Sequence, residues 1–166
     1  MHYRILFLAL FLITNCFAQQ VESSTYGKML KKKLPKNVPT ISVNEVDPTD
    51  DTILFLDTRE HEEYEVSHIE NARFVGYKHK SLDSVLTLPK NTKIVVYCSI
   101  GYRSGKITKE LIAEGFTDVH NLYGGIFEWS NQEMPLIDRN GNSTSNIHPY
   151  NKKWGRWITF GDKVYL

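Results

Sequence analysis

The chain has 166 residues, 41% hydrophobic and 23% charged, which suits one domain with a real core and short appendages and excludes two full domains. Its 20 basic residues against 19 acidic ones give a formal charge of +1, so no chain-wide field draws it to nucleic acid or to an anionic membrane surface. Two cysteines, Cys16 and Cys98, cannot build a disulfide framework.

Residues 1–18 read as an export signal: Arg4 precedes an apolar run from Ile5 to Ile13, followed by Thr14-Asn15-Cys16-Phe17-Ala18 and polar Gln19-Gln20. The run falls short of the about 20 apolar residues a spanning helix wants, which favours a cleaved signal over a membrane anchor. Cleavage after Ala18 releases an exported protein, periplasmic or secreted, and this is the favoured reading. Alternatively, Leu12-Ile13-Thr14-Asn15-Cys16 is similar to a bacterial lipobox, in which case Cys16 is lipidated and the protein is held at a membrane. Removing residues 1–18 leaves Cys98 as a solitary thiol in an oxidising compartment, which calls for a chemical explanation.

Residues 19–37 are polar and basic, with Lys31-Lys32-Lys33 as a solvated face, and form a helix or loose linker ahead of a domain at residues 38–136. Ile41-Ser42-Val43 alternates like a short strand. The run from Thr52 to Leu56 is continuously apolar after its first residue and closes on Asp57, the pattern of a central parallel strand emptying into a loop. A short helix is expected from Glu60 to Val66 and an extended piece from Ala72 to Val75. A further helix, Ser81 to Leu86, places Leu82, Val85 and Leu86 on one face and stops at Pro89. Lys93-Ile94-Val95-Val96-Tyr97 is the second buried strand, and it delivers Cys98 at its C-terminal end. The helix that follows, Arg103 to Glu114, turns Ile107, Leu111 and Ile112 to the sheet and stops at Gly115. Val119 to Leu122 forms another strand, and Gly124-Gly125 opens a helix with Phe127 and a core Trp129. Strands alternating with helices define an α/β fold with a parallel sheet, whose sites lie at the C-terminal strand edge.

Beyond Pro135 the chain changes character. Asp138 to Asn146 is a polar, turn-rich linker within an appended segment at residues 137–166. Trp157-Ile158-Thr159-Phe160 and Lys163-Val164-Tyr165-Leu166 flank Gly161-Asp162, which predicts a type II′ hairpin whose aromatic residues, with Trp154, pack on the domain.

The chemistry concentrates in Tyr97-Cys98-Ser99-Ile100-Gly101-Tyr102-Arg103-Ser104, between a buried strand and an amphipathic helix. A loop turning sharply from strand into helix points successive N–H groups into its concave side, and Gly101 supplies a left-handed or close-approach position. The helix N-terminus and the Arg103 guanidinium both favour negative charge there. They lower the Cys98 pKa and hold it as a thiolate nucleophile.

At this loop the chain resembles the rhodanese family of sulfurtransferases. Leu56-Asp57-Thr58-Arg59-Glu60, Glu63-Tyr64 and His68-Ile69-Glu70-Asn71-Ala72 are similar to the family's Asp-x-Arg and Gly-His-Ile-x-x-Ala segments, with Ser67 where glycine is usual. The stretch from Asn121 to Trp129 is similar to its Leu-x-Gly-Gly-x-x-x-Trp motif. The resemblance covers residues 38–136 and implies a rhodanese-like α/β fold: a central, mostly parallel five-stranded sheet with helices on both faces. It further implies that Cys98 takes a sulfane sulfur from a small anionic donor of the thiosulfate type, holds it as a persulfide, and passes it to cyanide or a thiol. Arg103 then orients the donor and offsets the repulsion between two negative charges. The backbone of residues 99–103 forms the cradle, with Ser99, Ile100, Gly101, Tyr102 and Ser104 as donor-binding or rim positions. Ser104 is assigned equally to capping the helix.

Asp57 and Arg59 support the loop by hydrogen bonding and ion pairing. No cofactor is implied and no metal: His61, His79, His120 and His148 lack ligand spacing, and His68 matches an architectural position. The main rival is a cysteine phosphatase or arsenate reductase. Cys98 to Arg103 is Cys-x4-Arg, whereas the cysteine phosphatases use Cys-x5-Arg, a ring wide enough for phosphate, so the shorter ring favours sulfur. A non-catalytic binding module on the same fold is the other alternative, and an intact Cys98 and Arg103 argue against it.

Overall fold

The computed structural model describes residue 21 and residues 23–165. The expected export signal, with Cys16, lies outside the described residues; among the described ones no helix is long and apolar enough to cross a membrane.

Two runs of apolar, largely β-branched side chains set the sheet. β4 (Ile94–Tyr97) is buried along its whole length, with Val95 and Tyr97 in one apolar layer and Ile94 and Val96 in the other. β2 (Leu54–Asp57) divides the same way, Phe55 to the first layer and Leu56 to the second. β1 (Thr40–Ile41), β3 (Arg73–Phe74) and β5 (Val119–Leu122) complete a five-stranded sheet in the order β1-β5-β4-β2-β3, every adjacent pair parallel.

Helices cover both faces, as the resemblance implies. α3 (Asp83–Leu86) and α4 (Tyr102–Ala113) close the Ile94 and Val96 side with Val85, Ile107 and Leu111. Ile112 does not join them and is 39% exposed. The sheet-facing row of α4 is Ser104, Ile107, Thr108 and Leu111, and one more residue rotates the side chain about 100° away. The opposite face takes α5 (Gly125–Asn131) with Phe127 and Trp129, together with α1 (Ser24–Lys33). Tyr26 and Leu30, one helical turn apart on α1, are fully buried, and the Tyr26 hydroxyl donates to Gly124 O at 2.7 Å. α2 (His61–Val66) follows β2, its first turn closed by the Glu60 and Glu63 capping box.

One expected strand and one expected hairpin are corrected. Strand pairing at Ile41-Ser42-Val43 stops at Ile41, because the Glu45 carboxylate accepts from the Ser42 N–H at 2.9 Å and from its hydroxyl at 2.6 Å, curling Val43–Glu45 into a 3-10 turn. The hairpin expected about Gly161-Asp162 does not form. β7 (Asp162–Lys163) pairs in parallel with β6 (Asn146–Ile147), and α6 (Lys152–Gly155) lies between them in sequence. Side chains of α5 take the backbone that the hairpin needs: Asn131 donates to Trp157 O at 2.9 Å and accepts from Thr159 N–H at 2.7 Å, and Ser130 donates to Phe160 O at 2.8 Å. Trp154 and Trp157 do pack on the main apolar layer, whereas Phe160 and Tyr165 are largely exposed.

Candidate active site

Cys98 follows the last residue of β4 at the C-terminal sheet edge, and four residues carry the chain from there into α4. Such a tight turn needs a left-handed residue, and Gly101 provides it as the N-cap, with φ +97°. The loop carbonyls point outward to α5: Cys98 O accepts from Ile126 N–H at 2.9 Å and Ser99 O from Phe127 N–H at 3.1 Å. Its amides therefore turn inward, and Gly101 N–H donates to Cys98 Sγ at 3.2 Å. Asn121, buried on β5, braces the same turn by donating to Gly101 O at 3.0 Å and accepting the Ser104 hydroxyl at 2.6 Å.

Burial pushes the Cys98 thiol up, but the Arg103 charge, the Ser104 N–H and the Ile100 N–H outweigh it and bring its pKa below the ordinary thiol value of 9.0. The Ser104 hydroxyl has its single proton committed to Asn121, so it is the backbone that serves the sulfur. Alkylation of Cys98 by a small neutral reagent is accordingly expected to keep its thiolate plateau at pH values where a free cysteine has already been protonated. A pH profile of alkylation with a midpoint at or above that of free cysteine contradicts the cradle.

Arg103 is not a free fork. Its Nη1 donates to Glu63 Oε2 at 2.7 Å, and its Nη2 donates to Glu63 Oε1 and to the Ser99 hydroxyl, both at 2.8 Å. The Ser99 hydroxyl in turn donates to Glu63 Oε1 at 2.8 Å. Burial works against ionisation of Glu63, but Arg103, helped by Arg59 and the Glu60 N–H, holds its carboxyl down at about 2. The same pairing overcomes burial at Arg103 and keeps it protonated. A buried anion is thus locked to the cation that stabilises the Cys98 thiolate.

The Asp-x-Arg turn braces the next strand over. Arg59 and Asp57 are fully buried and paired at 2.6 Å, Arg59 Nη2 also donates to Ser67 O at 2.6 Å, and the Thr58 N–H and hydroxyl both donate to Tyr97 O at 2.9 Å. These bonds fix the end of β4 immediately before Cys98.

The expected site residues therefore separate by role. Cys98, Ser99, Ile100, Tyr102 and Arg103 line one cavity of about 460 Å³. Gly101 contributes its amide, and Tyr102 stands 43% exposed at the rim. Ser104 is neither a cap nor open to the cavity: it is the third residue of α4, fully buried, with its hydroxyl on Asn121. Glu63 and Asn121 are site residues the sequence reading did not single out. A signal existed for each: Glu63 sits three residues after a possible N-cap, and Asn121 is an amide facing inward from an apolar strand.

Fold and site together define a parallel α/β domain carrying a buried cysteine in an amide cradle at the C-terminal end of its central strand. The chain belongs to the rhodanese-like domain family, whose model matches residues 44–132, more than half of its length. Among curated proteins, the tRNA uridine(34) hydroxylase of Yersinia pestis (strain Pestoides F) is 36% identical over 104 residues, covering 57% of this chain and 29% of that protein. The protein of the same name from Prochlorococcus marinus (strain NATL2A) is 28% identical over 128 residues, covering 61% and 40% respectively. The chain thus spans well under half the length of these relatives. Among solved structures, the thiosulfate sulfurtransferase of Pseudomonas aeruginosa superposes with a TM-score of 0.54 at 22% identity, covering 70% of this chain and 22% of that one. The polysulfide-sulfur transferase homodimer of Wolinella succinogenes gives 0.53 at 21% identity, covering 69% and 88%. These two structures share the fold.

Proposed function

We propose that this protein is a sulfurtransferase in which Cys98 carries a sulfane sulfur from a thiosulfate-like donor to cyanide or a thiol. The observation that carries the reading is Cys98 Sγ on the Gly101 amide beside Arg103, a buried sulfur whose pKa is lowered and which lines a cavity. In the loading step the thiolate attacks the outer sulfur of thiosulfate. The donor S–S bond breaks, sulfite leaves with the electron pair, and Cys98–S–S⁻ remains. The inward amides and the Arg103 charge offset repulsion between the two anions as they meet. In the discharge step the acceptor attacks the outer sulfur and Cys98 leaves as the thiolate.

The hydroxylase relatives share only this module, and a formal charge of +1 offers no field for an RNA substrate, so their named activity is not carried over. The apolar run before Cys16 supports an exported protein. One experiment tests both statements: intact-protein mass spectrometry of the expressed protein with and without thiosulfate. The expected spectrum gains the mass of one sulfur, mapped to Cys98 and removed by cyanide as thiocyanate, on a chain that begins after residue 18. A thiosulfate-treated protein with no added sulfur on Cys98 overturns the transfer reading, and a chain retaining residues 1–18 overturns export.

A further inference from the structure

Three side chains of the cavity come from outside the segment that matches the family: Lys33 at the end of α1, and Tyr150 and Trp154 from the appended segment. Tyr150 is held there against its backbone preference. It has φ +64°, its N–H donates to the nearly buried His148 Nδ1 at 3.2 Å, and its ring lies over the Arg103 guanidinium at 5.2 Å. A left-handed tyrosine persists only where its surroundings impose it, and such strain concentrates at binding sites. Trp154 is fixed on α6 by the Asn151 cap, whose side chain accepts its N–H at 3.1 Å.

The size of the cavity is the second observation. Thiosulfate has five heavy atoms, and at about 30 Å³ for each it fills roughly 150 Å³. A cavity of about 460 Å³ leaves most of its space to something else. Among the residues that line that space are Tyr77, Tyr102, Tyr150 and Trp154 and the two lysines Lys33 and Lys78, with Glu60 as the one acidic residue. Aromatic faces suit a carbon skeleton, and two lysines at the rim suit carboxylates on the same molecule.

Resting on the sulfurtransferase reading, we propose that this outer wall selects the acceptor, an organic thiol of small-peptide size that carries carboxylates. Its sulfur bonds to the outer sulfur of Cys98–S–S⁻ and the Cys98 Sγ–S bond breaks. Cys98 takes the electron pair as thiolate, and the thiol proton ends on the new persulfide, R–S–SH. Cyanide, two atoms long, reaches the same sulfur without touching the wall.

The test compares discharge of the loaded protein by glutathione, by 2-mercaptoethanol and by cyanide. Trp154→Ala, and separately Lys33→Ala with Lys78→Ala, are expected to lower the glutathione-to-cyanide ratio of kcat/KM about tenfold, and Trp154→Phe to keep most of it. The lysine pair is exposed, so its replacement also guards against a Trp154 variant that fails to fold. Ratios within about twofold of the parent for both variants overturn the proposal, as does an equal loss with 2-mercaptoethanol. Calorimetric titration of the Cys98→Ser protein with S-methylglutathione reads the wall without any turnover. No saturable binding overturns the proposal, whereas binding there together with failure of thiosulfate to load the parent protein sinks only the sulfurtransferase reading.

Discussion

Replacing Arg103 with alanine is expected to slow loading of Cys98 by thiosulfate about a hundredfold or more, and adding Glu63→Ala is expected to restore stability without restoring rate. The guanidinium is the largest influence that lowers the Cys98 pKa, so its loss leaves burial opposed only by the hydrogen bonds of the loop and raises that pKa. It also leaves Glu63, 2% exposed, with the Ser99 hydroxyl, the Glu60 N–H and the charge of Arg59 but no ion-pair partner for its buried charge. Stranding one partner of a buried ion pair costs about 3–5 kcal/mol, while removing both costs far less. The double variant therefore regains most of that loss in urea unfolding, a non-additivity that marks the two sites as coupled. Additive losses in stability mean the pair carries no buried charge. A double variant that also regains rate means Arg103 serves only to neutralise Glu63.

The same pair sets an acid limit. Glu63 has a folded pKa of about 2 against an ordinary 4.5, so its contribution is complete above pH 4.5 and drains away as pH falls toward 2. The amount is on the order of 3 kcal/mol. Protein lacking both side chains is expected to lose less stability across that window than the parent does.

The parts of the fold legible in the sequence are those set by short-range pattern. The runs Leu54–Asp57 and Ile94–Tyr97 are buried on both faces, and only a parallel sheet covered on both sides accommodates them. Gly101 and Cys-x4-Arg likewise fix the cradle locally, since a four-residue turn from strand to helix has few ways to place its amides. Long-range partners were not legible. Arg103 looks free in one dimension because its partner lies 40 residues earlier on α2. The Gly161-Asp162 signal is a true local preference, with Gly161 at φ +100°, but Asn131 and Ser130 claim the flanking backbone from 30 residues away. Ser104 shows the same limit, since its capping propensity yields to an amide on β5 that the sequence places 17 residues downstream.

Gly125→Ala is expected to destabilise the protein by about 4 kcal/mol and to disassemble the cradle, although Gly125 does not line the cavity. A β-carbon there falls 2.3 Å from Cys98 O, 2.8 Å from Ile100 N and 2.8 Å from Ser99 C. All three are backbone atoms of the loop, so no rotamer relieves the overlap, and the φ of +60° adds a left-handed penalty of its own. Either the loop or α5 must retreat, which breaks the bonds from Ile126 and Phe127 that turn the loop carbonyls outward. Once those carbonyls are released, nothing obliges the amides to face Sγ. Gly115→Ala separates the two contributions, because Gly115 has φ +92° but open space where its β-carbon would sit. It is expected to lose only about 1–2 kcal/mol, the left-handed penalty alone, and to leave Cys98 alkylation at its parental rate and pH midpoint. Urea unfolding and alkylation of both variants decide the matter. If Gly125→Ala loses no more stability than Gly115→Ala, or keeps the parental alkylation profile, then clamping of the loop by α5 is not what holds the Cys98 sulfur in its amide ring.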